Sequence, residues 1–432
     1  MSRPAIAYGL LLASSLAMAQ APSADDAMYR GLGGKDGIQK IVDDLLTLEL
    51  ADPRIKDNFD GFDIPQIKQR LREQFCEVSG GPCRYTGKYH DKAMEGVGPV
   101  RDMKSTHQDL QITDAMFNAL VEDLQTALEQ NQVPNSVANR LIARLAPMHG
   151  DIVTAAATTR MPDLGKLLAT GGVAQVEGAG GGGITPWALI TGYGTRDSWG
   201  ANAHFTHIGT QDYTLASYGV ALGLADRLEL SLARQEFKGS LAPLDRLAIQ
   251  QDIAGLKLKV AGDAVYAQDS LLPQVAVGVM YKHNRGIGGL GALGVSNVRQ
   301  LGASSDHGYD YYLAATKLLL DDSLLLNGTL RATRANQMGL LGFGGDRGDR
   351  MRLMPEASAA YLPSRKLAVG AEYRRKPHNL GVDREQACWD AFVAWFPSKH
   401  LSLTVAYASL GQITVFNPQR QHGLYLSAQA GF

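Results

Sequence analysis

Two periodicities divide the chain. From about residue 28 to 155, apolar side chains recur at helical spacing. Ile38, Ile41, Val42 and Leu45 fall at i, i+3, i+4 and i+7, and Phe117, Leu120, Val121, Leu124 and Leu128 repeat the pattern. Such a stripe turns one face of each helix toward a core. Val137, Leu141 and Leu145 continue at four-residue steps after the turn Val133-Pro134-Asn135, with proline at or near the first turn of a last helix. The spacing predicts an all-α domain over 28–153, then a linker over 154–165 rich in Ala and Thr.

From about Lys166 to Phe432 the period becomes two. Leu401, Leu403, Val405 and Tyr407 alternate with Ser402, Thr404 and Ala406, and Val275, Val277, Val279 and Tyr281 with Gln274, Ala276, Gly278 and Met280. Leu367, Val369, Ala371 and Tyr373 alternate with Ala368, Gly370, Glu372 and Arg374, and Leu326, Gly328 and Leu330 with Asn327, Thr329 and Arg331. One face is apolar; the other carries small, polar and charged residues. A transmembrane antiparallel β-barrel turns the apolar face to lipid and the polar face to a lumen, in segments of about 10 residues. Turn residues recur at that interval, at 225–227, 261–263, 321–323, 363–365 and 397–399. Gly-rich stretches at 285–302 and 339–349 suit longer extracellular loops. At about 19–20 residues per strand and connection, 166–432 predicts about 14 strands, with 12 as the next even number. Leu424, Leu426, Ala428, Ala430 and Phe432 share one face, as in the final strand that guides assembly of bacterial outer-membrane barrels.

The first residues bear on compartment. Arg3 precedes the apolar run Ala5–Leu16, which ends in Ala17-Met18-Ala19. A basic start, a short apolar core and an A-x-A site read as a signal peptide, 1–19, and the run is shorter than the roughly 20 residues of a spanning helix. Export to an oxidising compartment allows a Cys76–Cys83 disulfide, although the spacing alone leaves the pairing open. Cys388, beside Trp389, reads as a small apolar filler. Composition narrows the partners further. Lys and Arg number 42 against 43 Asp and Glu, so there is no basic excess for nucleic acid. The chain's 48 glycines mostly fall in turns rather than phosphate-binding loops.

Residues 165–432 resemble a family of proteobacterial outer-membrane proteins without an assigned function. Leu168-Ala169-Thr170-Gly171-Gly172-Val173, residues 192–197, Gly342-Phe343-Gly344-Gly345-Asp346-Arg347 and residues 370–374 carry the likeness. It implies a location and no chemistry.

The helical half is more specific. Leu32-Gly33-Gly34 opens a helix, Leu50-Ala51-Asp52-Pro53-Arg54-Ile55 and Asn58-Phe59 follow, then residues 80–87, Met103-Lys104-Ser105-Thr106-His107, Val133-Pro134 and Leu145-Ala146-Pro147. In this order they resemble a group I truncated haemoglobin, over about 28–153. The resemblance implies a two-over-two globin fold and one haem b. It makes His107 the proximal ligand of the iron, Phe59 the aromatic on the haem plane, and Leu110 and Ile112 part of the proximal wall. An imidazole nitrogen suits that role and leaves the opposite iron face to a diatomic gas: oxygen, NO or CO.

Two features depart from that family. Its members commonly place Tyr, Gln or His on the distal face, where this chain has Leu46, Ile67 and Leu71. Arg70, also matched to the distal helix, enters the pocket or, more in keeping with the cost of burying a lone guanidinium, pairs with a haem propionate. A missing donor forfeits on the order of 1–3 kcal/mol, about 5–150-fold in oxygen affinity. Second, Lys88–Asp102 is inserted where the family has a residue or two. It is either a surface loop or a cover that brings Tyr89 or His90 over the haem.

The expected protein is therefore an outer-membrane barrel, in contact with lipid, carrying a haem globin in the periplasm. By resemblance the globin carries oxygen or converts NO to nitrate. Turnover would need a periplasmic electron donor, because the sequence shows no flavin or nicotinamide motif. The alternative makes the barrel a pore or scaffold and the globin its redox or gas sensor.

Overall fold

The computed structural model describes residues 24–85, 103–156, 165–240, 242 and 244–432. The signal peptide, the insertion with Tyr89 and His90, and linker residues 157–164 lie outside the described residues.

The helical half is globin-like. Among the described residues it comprises α1 (Ala24–Gly31), α2 (Gly34–Glu49), α3 (Ile64–Val78), α4 (Met103–His107), α5 (Asp114–Gln130), α6 (Asn135–Leu145) and α7 (His149–Ile152). Gly33, at φ 84°, makes the left-handed entry to α2 that a side chain would strain. The stripe Ile38, Ile41, Val42 and Leu45 is buried, and meets Phe117, Val121, Leu124 and Leu128 of α5. Leu120 does not join it. It lies on the flank of that face, at 36% exposure. Helix α2 packs on α3 and α5, and α6 packs on α3 and α5, giving two helix pairs, one over the other.

The second half is a closed antiparallel barrel. Among the described residues twelve strands form it, from Trp199–Gly209 to Gln421–Gly431, and the seam joins the first strand to the last. Fourteen is thus corrected to twelve. The reason is local: residues 165–198 do not build the wall. Their apolar and Gly-rich pattern is that of a plug inside the lumen, with one small hairpin, Val173–Ala174 against Gly180–Gly181.

The alternation sorts as the sequence implies. Val220, Leu232, Leu313, Val369, Val405 and Leu424 face outward and are exposed, whereas Glu229, Lys257, Arg331 and Glu372 face the lumen and are buried. Exposed aromatics form two bands. Tyr309, Tyr311, Tyr373, Trp389 and Tyr407 lie toward the longer loops, and Tyr361 and Trp395 toward the short turns. An apolar belt between aromatic girdles is the signature of a bilayer-spanning barrel. Among the described residues no helix is long and apolar enough to cross a membrane.

Wall side chains hold the plug by its backbone. Glu229 accepts the N–H groups of Gly180 and Thr191, both at 2.9 Å, and Lys257 donates to the carbonyls of Gly180 and Leu189 at 2.7 and 2.8 Å. Glu372 accepts from Ile184 N at 2.7 Å, and Trp187 Nε1 donates to Ser358 at 2.9 Å. A loop inside a low-dielectric lumen needs its buried backbone groups partnered, and these bonds partner those of Gly180, Ile184, Leu189 and Thr191.

The globin docks on the short-turn end. Tyr266, from the turn after the strand Ala248–Ala261, stacks on His149 at 4.0 Å and donates to Asn118 Oδ1 at 2.9 Å. Arg196 pairs with Asp114 at 2.6 Å, Arg365 with Glu129 at 2.7 Å, and Lys399 with Glu122. Asn139 donates to Ser323 Oγ, buried, at 2.9 Å. The aromatic contact, beyond its buried area, contributes about 0.5–1.5 kcal/mol, whereas the ion pairs are mixed: Glu129 is exposed, but Asp114, Lys399 and Glu122 are largely covered. Tyr266→Ala is expected to speed hydrogen exchange over residues 114–121 by about tenfold or more, equivalent to 1.4 kcal/mol. Unchanged protection there would assign the docking to the charged pairs instead.

Candidate functional site

Helix α4 is short and ends on His107. The imidazole Nδ1 is hydrogen-bonded to the carbonyl of Met103 at 2.8 Å, one turn back. That bond fixes Nδ1 as the protonated nitrogen and orients the ring. Nε2 has no hydrogen bond among the described residues. Leu110 N–H then donates to the carbonyl of His107 at 3.1 Å, turning the chain toward α5.

The opposite wall is set by caps and turns. Asp63 caps α3, accepting from Gln66 N at 3.3 Å, with Pro65 in the first turn. The 3-10 turn Lys56–Phe59 is tied across to the segment beyond His107, because Asn58 Nδ2 donates to the carbonyl of Leu110 at 3.1 Å. Ile112 is anchored by its carbonyl, which accepts from Thr154 and Ala155 N–H, both at 3.0 Å.

These ties bring most of the expected site together. Leu46 is fully buried, while Phe59, Ile67, Leu71 and Ile112 are half-buried, and all five belong to one apolar cluster. Leu110 is half-buried beside His107 and stands outside that cluster. Arg70 is half-buried on α3, its Nη1 3.1 Å from Glu73 of the same helix, with the Tyr85 hydroxyl in its field. Burial pushes that phenol up. An imidazole nitrogen without a hydrogen bond among the described residues, in a domain whose Phe59, Ile67, Leu71 and Ile112 are apolar and incompletely covered, has the chemistry to hold a flat apolar macrocycle through its iron.

Of three further features, two went unread in the sequence and one, the disulfide, was left open there. Glu49, at the end of α2, is 1% exposed and no hydrogen bond reaches its Oε1 among the described residues. Burial, and then the nearby Asp123 carboxylate, push it up to about 8; Asp123 itself is raised to about 6 by burial and Asp52. Second, Cys76 is bonded to Cys83, joining the end of α3 to the segment that follows. The seven-residue spacing permitted that pairing and no more. Third, the Asp114–His149–Tyr266 contact couples α5 and α7 to the barrel. Cys388 is free and buried, as an apolar filler would be.

Comparison with known proteins agrees with both halves. Residues 27–154 match the family described as bacterial-like globin, and residues 170–429 the family described as "Protein of unknown function (DUF3034)". Group 1 truncated hemoglobin GlbN of Mycolicibacterium paratuberculosis is 27% identical over 128 residues, 30% of this chain and 85% of its own length. The Synechocystis protein of the same name is 29% identical over 125 residues, 28% of this chain and 89% of its own. Among solved structures, the 2/2 hemoglobin of a Synechococcus species covers 29% of this chain and 97% of its own, at 24% identity and TM-score 0.25. The KdgM porin covers 54% and 99%, at 9% identity and TM-score 0.33. Globin homologues imply a haem cofactor, and the residues around His107 fit one. By the extent of its match the chain belongs to the DUF3034 family, with a truncated-haemoglobin-like globin domain in front of the family's barrel.

Proposed function

We propose that this protein is a haem globin that binds a diatomic gas in the periplasm and is anchored in the outer membrane by its barrel. The observation that carries the reading is His107, with Nδ1 held by Met103 and Nε2 without a hydrogen bond among the described residues, in a domain with a half-buried apolar cluster. His107 would hold haem b through its iron, and the haem would supply the gas-binding chemistry. Phe59, Leu110 and Ile112 would give the macrocycle apolar packing. Leu46, Ile67 and Leu71 keep water from the distal side and give a bound gas no hydrogen-bond donor. Arg70, beside Glu73, would pair with a propionate. Reaction with NO would further require a periplasmic electron donor.

Parity and loop length support this location. With twelve strands, both ends of the barrel chain lie on one side, and that is the short-turn side on which the globin docks. In outer-membrane barrels the short turns are periplasmic. The Cys76–Cys83 disulfide suits that oxidising compartment. The filled lumen favours an anchor over a passive pore for the barrel.

The test is an absorption spectrum of the purified full-length chain, ferric, ferrous and with CO, beside His107→Ala. A Soret band that shifts with CO, and is lost or displaced in the variant, is expected. A wild-type chain that takes up no haem, or a variant with an unaltered spectrum, would remove His107 from the role.

A further inference from the structure

The lumen gathers three cations around one carboxylate of the chain's own plug. Glu177 lies in the turn of the small hairpin and its side chain is fully buried. Arg374 grips it with two nitrogens: Nη1 donates to Oε2 at 2.8 Å and Nη2 to Oε1 at 2.9 Å. Lys282 Nζ donates to Oε1, and Arg331 Nη1 stands 3.3 Å from Oε2. Gln175, in the same hairpin, donates to Oε2 at 2.8 Å. A forked guanidinium with an ammonium beside it is the arrangement that recognises a planar carboxylate.

The local charge shows what the wall lacks by itself. Asp310 pairs with Lys282 at 2.6 Å and with Arg331 at 3.3 Å; Glu356 pairs with Arg331 at 2.5 Å and with Arg374 at 3.4 Å. Three wall cations thus face two wall carboxylates, and Glu177 supplies the third negative charge. A buried charge left without its partner is strongly destabilising. The rest of the plug is held mainly through its backbone, by Glu229, Lys257 and Glu372, so Glu177 differs in kind from its neighbours.

We propose that Lys282, Arg331 and Arg374 form a carboxylate-binding site in the barrel lumen, which the plug fills from within through Glu177. The site selects small organic carboxylates over neutral solutes of the same shape, and over spherical anions that cannot span the arginine fork. It stands independently of the haem reading, since none of its residues belongs to the globin.

The test vacates the site and offers it a substitute. Full-length Glu177→Ala is folded in detergent micelles, and barrel unfolding is followed by heat-modifiable gel mobility. The unfolding midpoint should fall by about 6 °C or more. Sodium acetate should recover at least half of that loss, whereas acetamide and sodium chloride at matched ionic strength should not. Adding Arg374→Gln to Glu177→Ala should abolish the acetate effect. If Glu177→Ala does not fold unaided, the yield of heat-modifiable barrel on refolding with acetate, against acetamide and chloride, gives the same reading. Recovery that is absent with acetate, or equal with acetamide or chloride, overturns the proposal.

Discussion

Replacing Leu46 by Tyr in the haem-loaded full-length protein is expected to slow oxygen release by on the order of 5–150-fold, with CO release changed far less. Leu46 is fully buried in α2 and shares its apolar cluster with Ile67 and Leu71, so this wall lacks a donor. Bound oxygen draws negative charge, and one hydroxyl donor in a dry pocket contributes about 1–3 kcal/mol, at 1.4 kcal/mol per tenfold. Leu46→Phe is the control, since it adds the same ring without the hydroxyl. Tyr and Phe variants that release oxygen equally slowly would show that a donor already reaches the gas from elsewhere in the chain.

Raising the pH from about 5 to 8 is expected to destabilise the globin domain by on the order of 3–5 kcal/mol. The source is Glu49. Its carboxyl titrates near 8 when folded, against 4.5 unexposed to such burial, so between those values the folded chain holds a proton the unfolded chain has released. Stability from this group is fully present below about pH 4.5 and is lost as pH rises through 8. Asp123, raised to about 6, adds to the loss in the same direction. Thermal melts of the helical circular dichroism across this range should show the slope, and Glu49→Gln should flatten most of it. A variant that keeps the wild-type slope would assign the pH dependence to other groups.

Glu49 also shows where sequence stops being legible. It follows Leu45, Leu46 and Leu48 at the end of a helix, where an acid is ordinarily solvated. Its burial depends on how α5 lies across α2, and no local pattern encodes that. His107 could be nominated from sequence for the opposite reason: several separate motifs mark its place in the chain, and its bond to Met103 is local. The same division runs through the barrel. Period-two alternation correctly turned Glu372 and Arg331 inward. It overcounted the strands, because the plug's short apolar and glycine-rich segments mimic wall strands while being enclosed on every side. Which inward charges pair depends on register and on a hairpin from outside the wall, so Glu177 and its three cations were beyond reading.

The closing seam has a consequence for biogenesis. Phe432 joins it to the plug: its carbonyl accepts from Tyr193 N at 3.0 Å and from Ala201 N at 3.1 Å, while the last strand zips to the first. The first and last strands are far apart in the chain, and their pairing must repay a long loop closure. Asp310 and Glu356 balance two of the three wall cations, and the remaining positive charge and Glu177 neutralise each other only once the plug is enclosed. Ring closure and cargo enclosure therefore become one cooperative event, like a hoop tightened around its own core. A chain whose plug is displaced would be held back at the step of sewing its ends together.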